Sequence, residues 1–345
     1  MLWRSATAGL PRPSRASANP KIEEAEMRIC VAGEGAMGNN HLKALANIPG
    51  VQVTALAGGV KETTEEVGKK YNVPFVTLDL NEAIKRPDVD AVILTTPTQM
   101  HAAQAEACMK AGKHVLIEIP MADSIQDAEK LVKLQQETGV VAMAGHVRRF
   151  NPSHQWVNKR IKAGELKLQQ MQAHTYFFRR KNINALGQPR SWVDHLLWHH
   201  ACHTVDLFIY QTGEAPVEAY AVQGPQHPEL KIAMDMGIVM RAKSGAVCTL
   251  SLSFNNDGPI GSPYRYICDN GTYLALYDDL TDGHNKPVDL SKVDVSMNGF
   301  EIEDREFIAA IKEGRQPNSS VSNALTTMQC LDKLATQLKA STGYN

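Results

Sequence analysis

The sequence predicts two α/β units in series: a doubly wound parallel sheet, followed by an α+β unit built on a mostly antiparallel open sheet. Three observations carry this. From residue 28 onward, short apolar runs alternate with amphipathic stretches, the order expected of strand–helix–strand units. A glycine-rich turn, Gly33-Glu34-Gly35-Ala36-Met37-Gly38, separates the first apolar run from the first amphipathic stretch. After Gly145 the pattern changes to β-branched and aromatic runs punctuated by turn residues such as Lys243-Ser244-Gly245.

Taken in order, strands are predicted over 28–32, 51–57, 91–95, 114–118 and 140–144. Helices fall between them at 41–47, 99–111 and 125–137, the last apolar at Ala128, Leu131, Val132 and Leu134. Right-handed crossovers turn such a series into a doubly wound sheet. The second unit is predicted to hold a helix over 152–163, strands over 171–178, 217–222, 232–241 and 246–254, and closing helices over 304–312 and 322–338. The boundary falls near residue 146, giving units of 27–146 and 147–345.

Residues 1–26 stand apart, with Arg4, Arg12 and Arg15 among Ser, Ala and Pro and no acid before Glu23. This unstructured extension reads as an organelle transit peptide or as the product of a start upstream of Met27. With 345 residues and 43% hydrophobic side chains, each unit can bury a core. A balance of 36 basic against 37 acidic side chains gives no electrostatic ground for binding nucleic acid or a membrane surface. No apolar run approaches the roughly 20 residues needed to span a bilayer. Cys30, Cys108, Cys202, Cys248, Cys268 and Cys330 contain no Cys-x-x-Cys pair, so free thiols in a reducing, cytoplasmic setting are expected.

The glycine turn lies after a predicted strand and opens a predicted helix, the context that a dinucleotide fingerprint requires. Gly33 permits the tight turn, Gly35 lets the backbone approach a pyrophosphate, and Gly38 lets helix and strand pack closely. The helix N-terminal amides of Ala36 and Met37 then face the phosphates. An ordinary Gly-rich turn is the competing reading, and the strand–helix–strand order around this one favours the nucleotide. The second strand ends Ala57-Gly58-Gly59-Val60-Lys61, without the acid that grips the adenosine ribose of NAD. Lys61 stands near enough to neutralise a 2′-phosphate, so NADP is expected, with NAD the alternative and a solvated loop lysine the bland reading.

The densest chemistry lies in residues 191–206. If helical, His195, His199, His203 and Asp206 share one stripe. A zinc-protease helix needs a glutamate directly after the first histidine, and that position is His200, so no metal is expected. Histidines satisfied in a core are a second reading. Acid–base work is the third, and beside a nicotinamide unit it is preferred: histidine titrates near neutral pH and can relay an alcohol proton.

Together these residues resemble the Gfo/Idh/MocA oxidoreductases over essentially 27–338. The resemblance rests on the Gly33 turn, Thr95-Thr96-Pro97 with His101, Glu118-Ile119-Pro120, Arg148-Arg149-Phe150-Asn151-Pro152 and the run 307–314. It implies that Thr95, Thr96, Pro97, His101 and Glu118 hold the cofactor. The family's usual Glu-Lys-Pro lysine is Ile119 here, and its Asp-x-x-x-His pair becomes His199-x-x-x-His203, which leaves His203 as the matched catalytic residue with His199 as partner. Longer runs, among them 97–101, 175–182, 195–208 and 251–258, resemble a subfamily of aromatic-acid breakdown that shares both departures. Its second strand ends in arginines where this chain has Gly59 and Val60.

That resemblance implies oxidation of a carboxylated cyclic hemiacetal to a lactone, a CH–OH dehydrogenation. A sugar or dihydrodiol dehydrogenase, or a nicotinamide-binding regulator without catalysis, are the rivals, and fold alone does not separate them. A small anionic substrate calls for arginine forks. Arg179 or Arg180 is favoured, since adjacent strand residues face opposite sides. Arg149 and His199 are further candidates, and His174, Lys181 and Asn182 come after them. A homodimer or homotetramer through the C-terminal sheet is expected.

Overall fold

The first strand, β1 (Met27–Ala32), runs directly into the glycine turn and α1 (Ala36–Leu45). The computed structural model describes residues 27–183, 189–190 and 193–342; the extension 1–26 and the Ser191-Trp192 start of the histidine segment lie outside the described residues. Then follow β2 (Val51–Ala57), α2 (Lys61–Lys70), β3 (Phe75–Thr77), α3 (Leu80–Ile84), β4 (Ala91–Leu94), α4 (Thr98–Lys110), β5 (His114–Glu118), α5 (Ile125–Thr138) and β6 (Ala142–Gly145). The six strands pair in parallel in the order β3-β2-β1-β4-β5-β6. Ile93, Val115, Leu116 and Ile117 are fully buried, as unbroken apolar strands must be when helices cover both faces. The order reverses between β1 and β4, which opens a crevice at the carboxyl ends of the strands.

Local signals set the helix ends. Ser124 accepts a hydrogen bond from the Asp127 amide and starts α5, while Gly139 in the left-handed conformation stops it. Three elements of this first unit escape the sequence reading. In α2, Lys-Glu-Thr-Thr-Glu-Glu-Val-Gly-Lys-Lys, only Thr64 and Gly68 are buried, so no apolar stripe betrays it. The others, β3 and α3, span three and five residues and are too short for periodicity. Helix α1 begins at Ala36, ahead of the predicted 41, because the glycine turn itself forms its first turn.

Beyond Gly145 come a 3₁₀ turn (Val147–Arg149), α6 (Pro152–Lys162), β7 (Leu168–Tyr176), a π-helical turn (Leu196–Ala201) and α7 (Cys202–Thr212). Six strands follow: β8 (Glu218–Gln223), β9 (Asp235–Arg241), β10 (Val247–Ser253), β11 (Pro263–Cys268), β12 (Gly271–Leu276) and β13 (Asp279–Asp282). They join β7 in the order β13-β12-β11-β7-β10-β9-β8, where only β7 and β10 run parallel. The last three strands were not anticipated, although Tyr264 and Tyr266 are buried beside an exposed Arg265, a period-two pattern.

The chain closes with α8 (Gly299–Glu313) and α9 (Val321–Thr342), which return to the first sheet. Helix α8 packs on α1, and α9 packs on α5, β6 and β8, so α9 touches both sheets. The Ala144 amide donates to the Ser319 carbonyl at 2.8 Å just ahead of α9. All six cysteines are free and buried. No helix among the described residues is long and apolar enough to cross a membrane.

Candidate active site

The glycine turn shows three different needs. Gly33 has φ +113°, and a Cβ there would stand 2.4 Å from Thr95 Oγ1 and 2.6 Å from its carbonyl oxygen. A Cβ on Gly38 would lie 1.9 Å from the Gly33 carbonyl. Gly35 is different: its Cβ would meet nothing within 4 Å, so bare backbone faces the crevice there. Gly35 also caps α1 without any side-chain hydrogen bond, which leaves the amides at Ala36 and Met37 for a phosphate. These residues fit a dinucleotide. Thr95 Oγ1 donates to the Ala32 carbonyl at 2.9 Å and ties the turn to the end of β4.

Below the crevice, His101 braces two loops, with Nδ1 2.8 Å from the Pro120 carbonyl and Nε2 2.8 Å from the Thr96 carbonyl. Thr96 Oγ1 meets Gln104 Oε1 at 2.5 Å, and Pro97 caps α4. Glu118 is buried; its Oε2 accepts from the Ile119 amide at 3.1 Å and its Oε1 lies 3.1 Å from His41 Nε2. His41 Nδ1 lies 2.7 Å from Asp304 Oδ1. Burial alone would lower the pKa of His41, but Asp304 and Glu118 outweigh it and hold the pKa well above the usual histidine value. A doubly protonated ring has no lone pair for a cation, so His41, Glu118 and Glu303, though within 4.8 Å of one another, form a charge network. Both Glu303 carboxyl oxygens are enclosed without a partner, and burial raises the pKa of that carboxyl well above the usual carboxylate value. His101 and Glu118 thus support the floor of the crevice.

The histidine segment departs from the expected stripe. The Leu196–Ala201 turn is π-helical, so the α-helical spacing is interrupted between His195 and His203. His195 caps that turn through Nδ1, which accepts from the Leu197 amide at 3.1 Å. The His195 amide donates to His199 Nδ1 at 2.8 Å. A neutral His199 therefore carries its proton on Nε2, which lies 3.3 Å from Thr98 Oγ1 at the start of α4. His199 so spans from the second unit to the first and presents a donor. His203 is half-buried, with Nδ1 enclosed and without a hydrogen-bond partner. Burial lowers its pKa well below the usual value, helped by Arg148, His146 and His200 and opposed by Asp206. His203 is thus neutral at pH 7, the state a general base needs.

The arginines sort clearly. Arg149 is 1% exposed and grips Asp206 with two hydrogen bonds, 2.7 and 2.6 Å, while Nη1 donates to Asn318 O and Asn323 Oδ1. Its fork is spent inside the protein, which corrects the expected substrate contact. Arg180 is exposed, its guanidinium 5.0 Å from the Phe178 ring. Arg179 turns inward, lies 5.4 Å from the Phe177 ring and pairs with Asp194. Arg190, which the sequence reading missed, reaches the same carboxylate at 3.2 Å. Burial and then Arg190 lower the Arg179 pKa to about 10, so the guanidinium stays charged at pH 7. Asp194 also lies 3.0 Å from His200 Nε2 and 3.4 Å from His199 Nδ1. Two guanidiniums thus share the Asp194 carboxylate beside the histidines, and Asp123 is a second acid whose charge acts on His199. His174 stacks on Tyr176 and Asn182 reaches the Arg190 carbonyl, while Lys181 is exposed.

The adenosine end also differs from expectation. Lys61 points to solvent and meets Glu65 at 4.0 Å. A carboxylate does stand at the end of β2, and it comes from the glycine turn: Glu34 Oε1 accepts from the Val60 amide at 2.9 Å and Oε2 from the Gly59 amide at 3.0 Å.

Such a turn, crevice and second sheet define a nicotinamide-dependent dehydrogenase. A family profile described as an oxidoreductase family with NAD-binding Rossmann fold matches residues 27–146, and one described as bacterial oxidoreductases, C-terminal, matches 152–294. The chain belongs to this Gfo/Idh/MocA oxidoreductase family. It is 62% identical to the 4-carboxy-2-hydroxymuconate-6-semialdehyde dehydrogenase of a Sphingobium strain, over 91% of this chain and 99% of that one. Myo-inositol 2-dehydrogenase of Thermotoga maritima is 25% identical over 84% of this chain and 90% of its own. A levoglucosan dehydrogenase solved in complex with NADH shares the fold, with a TM-score of 0.80 over 91% of this chain and 97% of that one at 20% identity.

Proposed function

We propose that this dehydrogenase oxidises the cyclic hemiacetal of 4-carboxy-2-hydroxymuconate-6-semialdehyde to 2-pyrone-4,6-dicarboxylate, a step of protocatechuate breakdown. The observation that carries the reading is the 62% identity to the Sphingobium enzyme across nearly the whole of both chains. The site supports it. A dicarboxylate needs fixed cations, and Arg179 and Arg190 stand beside the histidines. A neutral sugar asks instead for many hydroxyl partners.

The nicotinamide, when bound, supplies the hydride acceptor. Neutral His203 takes the hemiacetal hydroxyl proton as the C–H bond is broken, and the ring carbon becomes the lactone carbonyl. His199 Nε2–H serves as a neutral donor toward the reacting oxygen, the kind of role that Ile119 cannot fill where the family usually has lysine. Arg148 and Arg149 act differently: Arg149 locks Asp206, while Arg148 lies over Tyr277 at 4.9 Å and adds to the burial that keeps His203 neutral. Turnover of the authentic semialdehyde, with the lactone identified as product, tests the reading.

The open face of the second sheet exposes Tyr220, Val222 and Val239, and two depressions of about 720 and 380 Å³ lie there. Exposed apolar side chains on a sheet whose other face is covered suit a second copy of this chain. The protein is therefore expected to run as a dimer or tetramer in light scattering, and Val222→Lys should weaken that assembly; a wild-type mass near 37.9 kDa would contradict this. Six buried free thiols suit a reducing, cytoplasmic setting.

A further inference from the structure

We propose that Glu34, the residue between the first two glycines of the turn, makes this enzyme selective for NAD by closing the place where a 2′-phosphate would sit. The inference rests on the glycine turn being the dinucleotide site. It reverses the preference expected from the β2 sequence alone.

The end of β2 and the start of α2 form a natural anion pocket. Gly59 and Val60 present bare amides there, and a helix N-terminus adds partial positive charge. Val60 caps α2 without a side-chain hydrogen bond. Glu34 fills this pocket. Its Oε1 lies 3.1 Å from the Gly59 amide, 2.9 Å from the Val60 amide and 3.4 Å from Thr63 Oγ1, and its Oε2 lies 3.0 Å from the Gly59 amide.

Position is secured from behind. Asn39 Nδ2 donates to the Glu34 carbonyl at 3.0 Å, and Asn39 Oδ1 accepts from Lys70 Nζ at 3.3 Å and Tyr71 Oη at 3.2 Å. Gly59 matters as well, because a Cβ there would stand 3.8 Å from Glu34 Oε1, in ordinary contact, and a longer side chain would crowd the carboxylate.

The consequences differ for the two cofactors. A ribose diol offers hydroxyl donors, and Oε2 retains lone pairs beyond the one Gly59 amide to accept them. A 2′-phosphate offers negative charge and acceptors only. It meets a carboxylate that already holds the amides it would need, and Lys61 lies outside, paired with Glu65. The acid that NAD enzymes commonly carry at the end of the second strand is supplied here from the preceding turn.

The test is binding, read by fluorescence titration of the wild-type protein with NADH and with NADPH, and repeated on Glu34→Gln and Glu34→Ala. Wild type should favour NADH by about 10- to 150-fold, the range of one charge-assisted hydrogen bond. Both variants should narrow that ratio, chiefly by tighter NADPH. Wild type favouring NADPH, or an unchanged ratio in both variants, overturns the proposal, as does wild type that binds neither dinucleotide. Selective NADH binding in a protein that fails to turn over the semialdehyde supports the proposal and counts against the substrate reading alone.

Discussion

His203→Asn should lower kcat by about 10²- to 10⁴-fold, the usual contribution of a positioned acid–base group, while dinucleotide affinity stays near the wild-type value. The substitution keeps a polar group of similar bulk but removes the titrating ring. The pH profile makes the assignment sharper. Burial, with Arg148, His146 and His200, lowers the His203 pKa well below 6.5, so the free enzyme holds the base neutral at pH 7. The acid limb of kcat/KM should therefore fall below the ordinary histidine value. A bound dicarboxylate offsets the field of Arg148 and favours the imidazolium, so the limb of kcat should lie at higher pH than that of kcat/KM. Near-normal kcat in the variant would remove His203 from the base role.

Arg179→Met and Arg190→Met should each lose about 10- to 150-fold in kcat/KM on the dicarboxylated semialdehyde, the range for one charge-assisted hydrogen bond. Arg180→Met is the control and should be nearly silent, since that side chain lies exposed over Phe178. Removal of either inward arginine leaves Asp194 with fewer cations, so the loss should be larger for an anionic substrate than for a neutral one. Full activity in both inward variants would show that the arginine pair beside His199 and His200 does not read the substrate.

The sequence made the first sheet legible because its strands are unbroken apolar runs, and all five it predicted are strands of the observed sheet. Polar α2 and three-residue β3 carry no such signal, since their placement depends on neighbours already in position. The histidine segment was legible in composition but not in geometry. An i, i+4 reading assumes α-helix, and the π-helical turn at Leu196–Ala201 redirects His199 toward Thr98. Arg149 misled in the opposite way: a basic pair at a junction looks like an anion site, and only the buried partner Asp206, 57 residues onward, shows it to be a strut. Glu34 and Asp194 stood inside segments already singled out. What hid them was that their partners, the amides of Gly59 and Val60 and the fork of Arg190, belong to other elements.

The proposed reaction joins an anionic hemiacetal to a neutral histidine base beside two inward arginines. It is tested most directly by wild-type kcat/KM on the authentic semialdehyde and on glucose, each with saturating cofactor. The semialdehyde should be preferred by at least about 10²-fold, since a neutral substrate gives the half-buried arginines no charge-assisted partner. Equal turnover of the two, or a preference for glucose, would contradict it and return the enzyme to the sugar dehydrogenases of its family.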